Sequence, residues 1–170
     1  MQKLFKFVLL LLISNFLMAG NIYDKQHNEP LTTKISSSDP EWIKSVQNAQ
    51  KTLNIFLKLY QEYKDTEGVS FLIKVPLKYG NNTSHFWYIF KGRKNNKLCG
   101  KYFELPKELM KYKNIQVDDK EVEDWMINDH GHLYGGYSLR LQRKRLPEDE
   151  RKSFDKYIGI KVYENNDLLK

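Results

Sequence analysis

Asp39-Pro40 opens a long periodic stretch that constrains the fold more than any other feature of the chain. Trp42, Val46, Ala49, Leu53, Phe56, Tyr60 and Tyr63 recur at steps of three and four residues, and Ile43 and Leu57 widen the stripe. Apolar side chains at that period share one face of an α-helix. The Asp carboxylate can accept from exposed amide hydrogens at a helix start, and Pro fits the first helical position because its missing donor is not needed there. The spacing predicts a helix from Pro40 to about Tyr63, ended by Thr66, Glu67 and Gly68. Such a one-sided helix needs a sheet to cover.

The sequence that follows supplies strands. Over 69–75, Val69, Phe71, Ile73 and Val75 alternate onto one side, and Pro76 is expected to close the strand. After a polar turn over 80–84, the packed residues Phe86, Trp87, Tyr88, Ile89 and Phe90 predict a central strand over 85–91. A turn over 92–96 leads to a third strand over 98–105, ended by Pro106 and paired with the second as a hairpin. One helical turn over 106–113, a short strand at Ile115 and Val117, and another strand over 122–127 come next. Asn128, Asp129, His130 and Gly131 suit a tight turn, so 133–143 is expected to return as a strand. In that strand Tyr137, Leu139 and Leu141 share one face, Ser138, Arg140 and Gln142 the other, and Gly135-Gly136 marks a bulge. Leu146-Pro147 then introduce Glu148, Asp149 and Glu150, an acidic first turn that suits the positive end of a helix dipole, with the helix running to about Tyr157. No internal repeat is visible. The expected fold class is α+β: a long N-terminal helix packed on a curved, mainly antiparallel sheet, with a short C-terminal helix.

Ahead of this unit, Lys3 and Lys6 precede an apolar run over 7–13, extended by Phe16, Leu17 and Met18 and followed by small Ala19 and Gly20. That order predicts a signal peptide over 1–19, cleaved after Ala19, and hence a periplasmic or secreted protein. Ser14 and Asn15 interrupt a run already shorter than the roughly 20 residues of a membrane span, so no stable membrane anchor is expected after cleavage. Residues 20–38 are polar and read as a flexible leader, leaving a single domain over 39–170. Cys99 is the single cysteine, which rules out an internal disulfide and predicts a free buried thiol. Removing the two signal lysines from a net charge of +7 leaves +5. The basic clusters over 91–97 and 140–145 read first as solvated faces and second as patches for anions. An exported chain without a recognisable nucleic-acid motif gives no reason to expect a nucleic-acid partner.

Chemistry-bearing residues are few. In a strand His130 and His132 would share a face, with Asp129 beside them, but the third His or Cys of a zinc set is missing and these are also ordinary turn residues. His85 beside Trp87 would need a carboxylate to orient it as an acid or base, and nothing in the sequence identifies one. Asp124 beside Trp125 either caps a turn or pairs with a basic residue. No nucleophile elbow, phosphate loop, paired metal-binding cysteines or zinc-protease helix motif is present, and no cofactor is implied.

Asp124-Trp125-Met126, Gly131, Gly135-Gly136-Tyr137-Ser138-Leu139-Arg140, Leu146 and Glu150-Arg151 occur in an order that resembles the bacterial YegJ-like family, domain of unknown function 2314. The resemblance extends more loosely back through Trp87, Gly100 and Pro106. It implies a compact bacterial domain with no assigned activity, catalytic residues or cofactor. Trp87, Asp124, Trp125, Gly135, Gly136 and Arg140 are its expected signature, the glycines shaping backbone and Asp124 a candidate carboxylate for an Arg140 fork. The function expected is a non-enzymatic module binding an unknown protein or envelope ligand. The alternative is an enzyme of unfamiliar type with an acid/base or metal site near Asp124, His85, His130 and His132, which requires those side chains to converge.

Overall fold

The computed structural model describes residues 36–79, 82–102 and 107–169. The expected signal segment, most of the leader, the Gly80-Asn81 turn and the 103–105 end of the third strand lie outside these residues. Helix α1 spans Pro40–Tyr63, and Asp39 Oδ1 accepts from the amides of Glu41 at 2.8 Å and Trp42 at 3.2 Å. Its buried residues are Trp42, Ser45, Ala49, Leu53 and Phe56, whereas Ile43 and Tyr63 at the margins of the stripe are exposed.

Among the described residues seven strands form one sheet: β1 Val69–Tyr79, β2 Asn82–Lys94, β3 Lys97–Lys101, β4 Asn114–Val117, β5 Asp124–Asp129, β6 His132–Gly135 and β7 Val162–Tyr163. Their order is β4-β3-β2-β1-β5-β6-β7, antiparallel throughout except for β6 with β7. Both expected hairpins form on two-residue loops. Asn95-Asn96 joins β2 to β3 with positive φ at both positions, the geometry whose twist matches paired strands, and His130-Gly131 joins β5 to β6.

Pro76 does not end β1, which pairs with β2 as far as Tyr79 opposite Asn82. The Lys74 carbonyl accepts from the Glu123 amide, so alternate residues of β1 direct their backbone groups toward β5, which begins at Asp124 opposite Lys74. Pro76, two residues on, has its missing donor where no neighbouring strand would accept it, and the ladder loses nothing.

The second departure is larger. The strand expected over 133–143 stops at Gly135, and Tyr137–Arg145 is helix α2, followed by α3 over Glu148–Tyr157 as expected from its acidic start. Leu139 and Leu141 are both buried, although residues two positions apart in a helix lie about 160° apart around the axis. A helix covered on two sides thus reproduces the alternation of a strand.

Strand parity separates two cores. On one face Phe71, Ile73, Val75, Phe86, Tyr88, Phe90 and Trp125 pack with Ala49, Leu53 and Phe56 of α1. Phe56 is the hub, its ring 5.2 Å from Phe90, 5.3 Å from Trp125 and 5.8 Å from Phe71. On the opposite face Leu72, Trp87, Met126 and Leu133 pack with Leu139, Leu146, Phe154, Ile158 and Ile160, which α2, α3 and their flanking turns supply.

Candidate functional site

The second face carries the polar constellation of the molecule. Register places Lys74 of β1 between Trp87 of β2 and Asp124 of β5. The Lys74 ammonium lies 4.8 Å from the centre of the Trp42 ring and 5.8 Å from that of Trp87, and it donates to Ser138 Oγ at 3.3 Å. Burial lowers the Lys74 pKa, opposed by the charges of Asp124 and Glu123. Aromatic faces attract a cation through their quadrupole, so two indoles replace part of the hydration the ammonium has lost.

Asp124 is fully buried, and its carboxylate closes the start of α2. Oδ1 accepts from the amides of Trp125 at 2.8 Å and Tyr137 at 3.1 Å, and Oδ2 from the amide of Ser138 at 2.7 Å. The residue at the cap position of α2 is Gly136, which has no side chain to cap with. A β-strand carboxylate therefore does the work a neighbouring Asp does for α1. Burial pushes the Asp124 pKa up to about 6, with the Ser138 hydrogen bonds and the Lys74 charge acting the other way.

The carboxylate that orients His85 is Glu123: Nδ1 lies 2.6 Å from Oε2, and the ring meets Trp42 edge-on at 5.7 Å. Neither Glu123 nor Lys74 was legible as a partner, because only the pairing of β1 with β2 and β5 brings them together. The side chains of His85 and Glu123 are 36% and 17% exposed, so this pair reaches the surface while Asp124 and Ser138 do not. Among the described residues no buried side-chain nitrogen or oxygen lacks a partner.

The two other histidines lie elsewhere. His130 is held by Asp129 at 2.6 Å and His132 by Glu164 at 2.7 Å, both exposed at the far end of β5 and β6. Six residues of extended chain, about 20 Å, separate Asp124 from His130. Asp124, His85, His130 and His132 thus do not form one site, and among the described residues no group of three or more His, Cys, Asp or Glu side chains could hold a metal. Cys99 is free and half-buried on β3.

Trp87, Trp125, Gly135 and Gly136 are buried. A Cβ on Gly135, at φ +68°, would stand 2.4 Å from the Trp125 carbonyl oxygen, so only glycine lets β6 approach β5 here. Arg140 does not fork onto Asp124. Its Nε donates to the Gly135 carbonyl at 2.7 Å, and Nη2 donates to the Leu133 carbonyl at 2.9 Å and Asn166 Oδ1 at 3.2 Å. Asn166 bonds both backbone groups of Gly135, and the guanidinium lies over the Tyr163 ring at 5.4 Å. The helical course of 137–145 turns Arg140 back toward β6, where an extended strand would have placed it across from β5.

No curated protein and no solved structure gives a match. The family model described as an uncharacterized protein conserved in bacteria, DUF2314, matches residues 39–162, a span that contains α1, strands β1 to β6 and both later helices. The chain belongs to that bacterial family.

Proposed function

We propose that this chain is a non-enzymatic binding or interaction module that works outside the cytoplasm. The observation that carries the reading is the use of Asp124: its fully buried carboxylate accepts from the amides of Trp125, Tyr137 and Ser138. A general acid or base must reach the atom it protonates or deprotonates, and this carboxylate is bonded to the amide that follows it on β5 and to the first amides of α2. The second support is the charge, apolar run and small residues over 1–19, which fit export.

Fractionation of bacteria expressing the full chain, followed by N-terminal sequencing, tests the location. A periplasmic or secreted product beginning at Gly20 is expected, and an uncleaved cytoplasmic chain would overturn it. Binding is tested by immobilising that product and exposing it to defined envelope components: murein sacculi, outer-membrane vesicles and inner-membrane vesicles. Retention of one class with saturation is expected; retention of none would remove the module reading.

A further inference from the structure

Strands β2, β3 and β4 read NTSHFWYIFKGRK, KLCGK and NIQV, without one Asp or Glu. Their inward face is filled by the aromatic core, whereas the helices on the second face cover Leu72, Trp87, Met126 and Leu133. Beyond Trp87 no buried residue of the described helices packs on that second face. Alternation from Ile89 places Lys91 on it, and the pairings Ile89 with Lys101 and Lys94 with Lys97 place three further lysines there. Cys99 lies between Lys97 and Lys101 on β3, and Asn114 and Gln116 border Lys101 and Cys99 on β4. Lys97 is neutralised by Asp118 at 3.2 Å. Lys91, Lys94 and Lys101 are exposed and make no ion pair with any described residue.

The make-up of the patch selects its partner. Protein interfaces are anchored by Trp, Tyr or Arg side chains seated in pockets, and among the described residues this face exposes none. Its neighbouring arginine, Arg93, is held by Asp119 at 2.9 Å. Adjacent strands are about 4.8 Å apart and each residue advances about 3.3 Å, so the three free lysines spread over roughly 13 Å along the strands as flexible point charges on a pleated plane. That is the complement of an extended anionic surface whose charges need no fixed pattern. We infer that the open face of β2, β3 and β4 docks reversibly on an anionic lipid surface. The contact is electrostatic and peripheral, and no described helix is long and apolar enough to cross a membrane. It rests on the binding-module reading for its biological setting and on the lysine array alone for its physics.

The test is co-sedimentation of the chain from Gly20 with vesicles of phosphatidylglycerol in phosphatidylcholine, against phosphatidylcholine alone. The apolar run over 7–13 is left out because it would itself partition into lipid. Binding to the anionic vesicles alone is expected, weakening as salt shortens the screening length. Changing Lys91, Lys94 and Lys101 together to Gln should lower the partition coefficient on the order of 100-fold, and Lys101→Gln alone about fivefold. Thermal unfolding of both variants should stay as in the parent. Changing Lys44, Lys51 and Lys58 of α1 to Gln removes the same charge from the other side and should leave partition nearly unchanged. Absence of binding to anionic vesicles, equal loss in the two triple variants, or displacement by inorganic phosphate at matched ionic strength would overturn the inference. Failure here with retention by murein would leave the module reading standing, so the two outcomes are distinguishable.

Discussion

Helices α1 and α2 both have their first amides held by an aspartate, and the two aspartates differ in position along the chain and in burial. Asp39 stands immediately before α1, is partly exposed, and also meets the Arg145 guanidinium at 2.8 Å. Arg145 and the amides of Trp42 and Glu41 hold its pKa below the ordinary carboxylate range, against a desolvation that acts upward. Asp124 reaches α2 from a neighbouring strand, is fully buried, and has its pKa raised to about 6 by that burial. The first cap is a local device that a short peptide could carry. The second exists only when β5 is already paired with β1 and β6. Capping by tertiary contact couples the formation of a helix to the formation of a sheet.

Asp124→Ala breaks the comparison most severely. It leaves the buried amides of Trp125, Tyr137 and Ser138 without their acceptor, and a few unsatisfied donors at 1–3 kcal/mol each put the expected loss at about 4 kcal/mol in urea unfolding. A loss no greater than that of Asp39→Ala would show that α2 does not need this cap.

The pH dependence has an opposite sign for the two groups. For Asp124 the folded pKa lies near 6 against an ordinary 3.8, so between those values the folded protein keeps a proton that the unfolded chain has released. Stability relative to Asp124→Asn should therefore be greatest below about pH 4 and fall by about 3 kcal/mol as pH rises to about 6. A difference that is flat across this range, or that grows with pH, would contradict the burial argument. Asp39, with its lowered pKa, should contribute stability above its ordinary value that is lost on acidification.

Arg140→Ala removes the ties to the carbonyls of Gly135 and Leu133 and to Asn166, with an expected cost of about 2 kcal/mol. Because Arg140 and Asp124 share no direct bond, their double variant should be additive to within about 0.5 kcal/mol, while Arg140→Ala with Asn166→Ala should be strongly non-additive. Coupling of Arg140 to Asp124 of the size expected for Asn166 would restore the ion pair that the geometry does not contain.

The smallest effect belongs to the local cap. Asp39→Ala should cost about 1 kcal/mol, and Asp39→Ser should recover most of it because a hydroxyl caps nearly as well. Full loss in the Ser variant would mean that the Arg145 contact, not the cap, is what matters.

What the sequence determined by itself follows the range of the interactions involved. The helix at Pro40–Tyr63 was legible because its cap, its first-turn proline and its apolar period all lie within the segment. The helix at Glu148–Tyr157 was legible from its acidic first turn, and both hairpins from the turn segments over 92–96 and 128–131. The passage of β1 through Pro76 was not, since whether a missing donor matters depends on which strand lies beside it. Nor was α2: Tyr137, Leu139 and Leu141 alternate like a strand, no capping side chain stands at Gly136, and burial on two sides erases the helical stripe. The candidate site divides in the same way. Asp124, Trp125 and His85 stood out as residue types, but Lys74 and Glu123 became partners only through strand register, and Ser138 only because 137–145 folds as α2. Periodicity and caps act over a few residues and are written in order along the chain. Partners across a sheet are fixed by which strands pair and how they slide, and that choice is made by the whole core at once.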